Sequence, residues 1–225
     1  MVADVVRART VAASLALGAA ALTLAGCTGG QTAGTLAAPS TNAFEGAPID
    51  RPASRVDDLG QEDLPEPGDL GRGWDYRVDH GNAEDGYVGS GQPATAREPG
   101  SVIAAITPLG CRPGRLPRPE SALEVTYVKG KVPGVGVVLR FDEAQTARRF
   151  FVAHAQVLSR CVGSDHVDLA VKSQSDSLLV TTRAEQLGET PEWTEGVGLQ
   201  GDEVMLIAVA DTTSTGVRSV ISALT

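Results

Sequence analysis

Residues 123–141 read LEVTYVKGKVPGVGVVLRF, and this stretch decides the fold class. Leu123, Val125 and Tyr127 alternate with other neighbours, and Val135, Val137, Leu139 and Phe141 do the same. Successive side chains on a strand point to opposite faces, so each run presents one apolar face. Between them, residues 129–134 (KGKVPG) carry the residue types that reverse a chain. The stretch predicts a β-hairpin with one buried face.

The pattern changes directly downstream. Asp142 is a good N-cap, and Glu143, Ala144 and Gln145 suit a first turn. Ala147, Phe150, Phe151, His154, Val157, Leu158 and Cys161 then recur at helical spacing, and Gly163 follows as a stop. A long helix over 142–161 is expected, with its apolar stripe packed on the sheet. Strand signals resume beyond it. Val167, Leu169 and Val171 form one strand, with Asp168 and Lys172 outward, and residues 178–183 form the next after a turn at 173–177. Residues 204–209 (VMLIAV) are continuously apolar, as for a central strand covered on both faces. Residues 217–224 are read as its return partner, across a loop at 211–216. A shorter helix is expected over 101–106, ended by Pro108. Strands in a run, broken by one long helix, predict an α+β fold with an antiparallel sheet of about five or six strands.

Upstream, Arg7 and Arg9 precede sixteen uncharged residues, Thr10 to Ala25. At 1.5 Å per residue such a helix spans about 24 Å, short of a hydrocarbon core of about 30 Å. A basic start, a short apolar run and small residues at its end read as a secretory signal. The segment closes on Leu24-Ala25-Gly26-Cys27, which resembles the lipobox of bacterial lipoproteins. That resemblance implies a diacylglyceryl thioether, with its palmitate-type chains, on Cys27, and cleavage before it. Residues 1–26 are then a lipoprotein signal peptide, the membrane is a partner through the anchor, and the protein sits on the extracytoplasmic face of the cell membrane. The competing reading is an ordinary signal, cleaved or retained, with Cys27 incidental.

Residues 27–62 make up the lipidated cysteine and a disordered linker: they are small, polar and punctuated by Pro and Gly, with no apolar periodicity. Between residues 56 and 70, Asp57, Asp58, Glu62, Asp63, Glu66 and Asp69 stand without a Lys or Arg. They read as a solvated acidic stretch rather than a calcium loop, whose oxygen-ligand spacing is missing. From Asp63 onward Trp, Tyr and β-branched residues appear, so residues 63–225 are expected to be one α+β ligand-binding domain. Of 225 residues, 19 are basic and 28 acidic, a formal charge of −9. That balance argues against nucleic acid as a partner, since phosphate-backbone binding rests on clustered cations.

Cysteine arithmetic follows from the anchor. With Cys27 lipidated, Cys111 and Cys161 remain as an even pair in an oxidising compartment, which favours a disulfide. The alternative is a reactive thiol with His154 or His166 beside it, and such thiols suit that compartment poorly. With these features in hand, a second resemblance can be stated. Residues 65–74 (PEPGDLGRGW), a Cys after a short apolar segment, and a long helix ending in Cys are similar to small extracellular sensor-like domains of actinobacterial lipoproteins and of some serine/threonine kinases. The resemblance implies an α+β domain with a groove for an envelope ligand and no catalysis. The chain departs from it in having no kinase domain, one Cys pair where the kinase version carries two, and a short C-terminus.

Motifs for chemistry are weak. Gly196, Gly198 and Gly201 match a dinucleotide fingerprint by letter, but the pattern should follow a strand and open a helix, whereas here it follows residues 192–195 and opens a strand at Asp202, so residues 196–201 are read as a flexible loop. Ser90 is not set in a strand–turn–helix hydrolase elbow. His80 reads as part of a turn, His154 as a hydrogen-bonded core residue, and Asp165, His166 and Asp168 as at most a weak metal site. No catalytic residue, metal or cofactor is assigned. Two features suggest ligand contacts. Arg112, Arg115 and Arg118 stand three apart among Pro113, Pro117 and Pro119, which a polyproline II helix would align in one row about 9 Å apart. Such a row suits phosphate or carboxylate groups, of envelope polymers or of the acidic stretch 57–69. Trp74, Tyr76 and Tyr87 lie close together in a Gly-rich stretch and could line a groove for lipid or glycan, or cover the sheet edge. The expected function is a lipid-anchored, non-catalytic envelope protein that binds an envelope lipid, glycan or protein. A cell-wall hydrolase or transferase using one of three His, and a structural envelope interaction protein, are the alternatives.

Overall fold

In the hairpin over residues 121–140, Lys129 pairs directly with Val132, leaving a two-residue turn in which Gly130 has φ 63°. Its strands are therefore longer than alternation alone outlines: β3 (Ser121–Lys129) and β4 (Val132–Arg140). The left-handed backbone at Gly130 matches the twist of paired strands, so the chain reverses without a longer loop. The computed structural model describes residues 51–82, 88–108, 110–112, 114–163, 167–185, 191–210 and 215–223. Around the hairpin stand β1 (Asp75–Tyr76), β2 (Ala94–Arg97), β5 (Val167–Gln174), β6 (Leu178–Glu185), β7 (Trp193–Gln200) and β8 (Glu203–Val209). They form one eight-stranded sheet in the order β1-β3-β4-β8-β7-β6-β5, with β2 also on β3. Every named pairing is antiparallel.

Two cores lie on the two faces of this sheet, because β4 and β8 alternate between them. Val137, Leu139, Leu206 and Ala208 face α1 (Pro99–Ile106) and α2 (Ala144–Cys161). Val138, Met205, Ile207 and Val209 face α3 (Thr215–Ala223) and two short 3-10 turns, Gln61–Asp63 and Pro67–Leu70. The helix over 142–161 is present, capped at Glu143 instead of Asp142 and closed by Gly163 at φ 76°.

Three expectations are corrected. Residues 217–224 form no strand: the places beside β8 are taken by β4 and β7. Val217, Val220 and Ile221 are instead buried at helical spacing on α3. Residues 193–200 form β7, buried along almost all its length, so the flexible loop expected over 196–201 is for the most part strand. Its glycines lower strand propensity, but Gly196 has a packing reason. A Cβ there would come within 2.8 Å of Val217 and Ile221, so the missing side chain is what lets α3 lie on the sheet. Gly196→Val should therefore lift α3 and cost about 2 kcal/mol, read as a lower urea midpoint at unchanged slope. A variant as stable as the parent would show that α3 is not seated there. Third, the fold begins before Asp63. The Ala53 carbonyl accepts the Ala96 amide at 2.7 Å, and Leu59 is completely buried. Leu59 and Leu64 are isolated apolar residues among acids, too sparse for a periodic signal.

Candidate ligand-binding surface

The acidic stretch has a local cause. The Asp63 carboxylate accepts the Gly60 amide at 2.7 Å, and that of Asp69 accepts the Glu66 amide at 3.0 Å. Each thereby satisfies an amide that a short helical turn leaves without a backbone partner. Glu62 meets Arg55 at 2.7 Å, and Asp58 lies 3.7 Å from Arg140, which also pairs with Glu203. The acids shape the N-terminal turns, whose Leu59, Leu64 and Leu70 pack on the α3 face of the sheet.

The aromatic residues serve the same packing. The Tyr127 hydroxyl, deep in the core, donates to the Pro65 carbonyl at 2.6 Å, and burial pushes its phenol well above the ordinary range. Tyr76 stacks on Tyr127 with ring centroids 5.7 Å apart, and its hydroxyl reaches Glu66 at 3.3 Å. Trp74 lies over Gly134, where a Cβ would stand 3.1 Å from the indole, and the Lys129 ammonium sits 6.0 Å from the ring. Trp74 and Tyr76 thus cover the sheet and line neither depression described below. Tyr87 lies outside the described residues.

The three arginines do not form one ridge. Gly114, at φ 65°, leaves the polyproline II conformation between Arg112 and Arg115 and breaks the three-residue register. Arg112 lines a depression of about 400 Å³ with Val157, Arg160 and the Cys111–Cys161 bond. Arg118 turns to Glu98 at 2.7 Å, and Arg115 is exposed. None of the three is paired with the acidic stretch 57–69.

The disulfide joins the loop after α1 to the last residue of α2, with Cα atoms 5.8 Å apart. Both cysteines are buried, at 9% and 7% exposure, so this covalent link is part of the core under α2.

His154 is in the core, where its Nδ1 is buried without a partner and the ring stacks on Phe150 with centroids 5.8 Å apart. Arg183 on β6 and Glu195 on β7 lie in the same buried layer. Arg183 Nε stands 2.7 Å from a Glu195 carboxylate oxygen, without the alignment of a hydrogen bond. Burial raises the Glu195 carboxyl, and the guanidinium opposes that rise. Burial, aided by the Arg183 charge, pushes the imidazole of His154 from 6.5 down to about 4. The unfolded chain therefore binds a proton near pH 6.5 that the folded chain refuses until about pH 4, so stability is lost as pH falls through that window. Between pH 7 and 4.5 this contribution is about 2–3 kcal/mol. Urea unfolding should show that much of the acid sensitivity vanish in His154→Leu; an unchanged pH slope would contradict it.

An open surface lies at the β1–β3–β4 corner. Two depressions meet there and share Arg77. One, of about 410 Å³, is lined by Arg77, Val78, Asp79, His80, Gly81 and Thr126. The other, of about 470 Å³, is lined by Arg77, Tyr127, Val128, Gly130, Lys131 and Pro133. The turn holding His80 is built by Asp79, whose carboxylate accepts the Gly81 amide at 2.9 Å. Gly89 packs so closely on the Asp79 carbonyl that a Cβ would collide with it. Arg77 and Lys131 make the corner a place for phosphate, carboxylate or sugar hydroxyls. Sequence reasoning passed over both cations because nothing in their spacing marks them; the topology brings them together.

No protein-family model and no curated protein matches the chain. It is similar in structure to the extracellular domain of PknH from Mycobacterium tuberculosis. That match has a TM-score of 0.45 and 12% identity, over 74% of this chain and 91% of the other. Among the described residues, no group of three His, Cys, Asp or Glu is placed to hold a metal, and no helix is long and apolar enough to cross a membrane. Cys27, Asp165 and His166 lie outside the described residues.

Proposed function

We propose that this chain is a lipid-anchored envelope protein, held through Cys27 on the extracytoplasmic face of the membrane, whose folded domain binds an envelope ligand without transforming it. The way the three cysteines sort themselves carries the reading. Cys27 closes a signal-like segment at Leu24-Ala25-Gly26-Cys27, and the other two are bonded to each other at a Cα separation of 5.8 Å. A structural disulfide belongs to an oxidising compartment, and a leader ending in a lipobox delivers a chain to one.

Binding is supported by the corner around Arg77. It offers two depressions, two cations and one exposed imidazole. His154, at 2% exposure, is sealed from any substrate. The ligand class is an anionic or hydroxyl-rich envelope lipid or glycan. Mass spectrometry of small molecules carried by the native, membrane-extracted protein tests this. An anionic lipid or glycan should co-purify, and its amount should fall about tenfold or more in Arg77→Glu/Lys131→Glu, since each lost charged contact is worth about 1.5–3 kcal/mol. Turnover of cell-wall fragments by the parent protein, lost in His80→Ala, would favour the hydrolase reading instead.

A further inference from the structure

The outer face of α2 is unlike the rest of this acidic protein. The helix sequence AQTARRFFVAHAQVLSRC contains three arginines and no Asp or Glu. On the solvent side, Gln145, Arg148, Arg149, Val152, Ala153 and Gln156 line a depression of about 300 Å³. Val152, in its middle, is 45% exposed. One turn further on, Arg160 faces the second depression with Arg112, and Arg115 follows in the same loop. Arg148 and Arg160 lie about 18 Å apart along the helix axis, from a rise of 1.5 Å per residue.

Not every arginine here is available. Arg149 lies 3.7 Å from Glu143 and donates to Thr146, and Arg118 is held by Glu98. Asp142 and Glu143 border the N-terminal end of the face. Arg112, Arg115, Arg148 and Arg160 have no carboxylate partner among the described residues. The acids of the 57–69 stretch belong to turns packed on the opposite face of the sheet. The α2 side thus carries four arginines without a carboxylate partner among the described residues, while the acids of 57–69 sit across the sheet.

We propose that the outer face of α2 docks on the anionic headgroup surface of the bilayer to which Cys27 is anchored, with Val152 and Ala153 against the interface. This rests on the lipid anchor proposed above. The linker length selects the bilayer over other anions. From Cys27 to Ala53, whose carbonyl is tied to Ala96, is 26 residues. That many residues can separate the two by at most about 90 Å, so the domain cannot leave the neighbourhood of the bilayer. The domain is thereby held near the surface at a local concentration on the order of millimolar, where a weak attraction suffices. A domain so tethered is drawn to the negative surface through these four arginines, with the acids of 57–69 turned away from it.

The test uses the chain from residue 27 with Cys27→Ser, so that no lipid contributes. Co-sedimentation is measured with vesicles of 30% phosphatidylglycerol in phosphatidylcholine, and with phosphatidylcholine alone. The chain should bind the anionic vesicles at low salt, release at 0.5 M salt and ignore the neutral ones. Arg148→Glu/Arg160→Glu should weaken binding about thirtyfold. The charge-matched Arg72→Glu/Arg218→Glu, on the Gly71 turn and on α3, should bind at least as well as half as tightly as the parent. No binding to anionic vesicles, equal binding to neutral ones, or equal losses in both variants would overturn the proposal. So would binding to soluble polyphosphate without binding to vesicles, which would assign the face to a wall polymer. Because the probe carries no lipid, a negative result here leaves the mass of Cys27 as a separate question.

Discussion

Replacing Arg183 by Met is expected to destabilise the domain by about 3–5 kcal/mol at pH 7. The guanidinium faces a carboxylate whose side chain is only 5% exposed, and its own is 15% exposed. The pair's net contribution is small, since taking two charges from water costs about as much as their attraction returns. Removing one member is different: Glu195 is left buried beside Thr181, whose hydroxyl is 3.5 Å from the carboxylate and cannot replace a full charge. Glu195→Leu should cost a similar amount by stranding Arg183. The double variant Arg183→Met/Glu195→Leu should recover most of the loss, and that recovery separates a stranded charge from a packing defect. Urea unfolding of the four proteins measures it. Single variants within 1 kcal/mol of the parent would mean that water reaches the pair.

The second large effect concerns the disulfide. Cys111 and Cys161 are 50 residues apart in sequence. Closing a loop of that length removes conformational freedom from the unfolded chain worth about 4 kcal/mol in the chain-entropy model. The double Ser variant should lose about that much, shown as a lower denaturation midpoint. The intact mass of the parent domain should be two protons below that of the reduced chain. Two thiols alkylated without prior reduction would remove the bond from the account. The loss has a structural route as well, because the bond fastens the loop after α1 to the end of α2 and forms one wall of the depression with Arg112 and Arg160.

The fold was legible where the polypeptide has one dominant period. The hairpin at 123–141 and the stripe of α2 have it, and the α+β class with an antiparallel sheet follows from them. Elsewhere the signal was ambiguous for physical reasons. Residues 217–223 suit either a strand or a helix by apolar spacing, and only the occupied neighbours of β8 decide between them. β7 hides behind Gly196 and Gly198, of which Gly196 is kept there by the approach of α3. The start of the domain hides in Leu59 and Leu64, buried singly among acids. For the site, the cysteine pair could be read from counting and compartment, whereas Arg77 follows β1 and Lys131 stands in the turn between β3 and β4, and the pairing of β1 with β3 brings them to one corner. The row of Arg112, Arg115 and Arg118 was lost to a single left-handed residue, Gly114.

The account stands or falls on what the chain carries at Cys27. Mass spectrometry of the N-terminal peptide from protein extracted from membranes measures it directly. The predicted result is a chain that begins at Cys27, with a diacylglyceryl group in thioether linkage to its sulfur. A free thiol at Cys27, with residues 1–26 still attached or cleaved at another position, would contradict it.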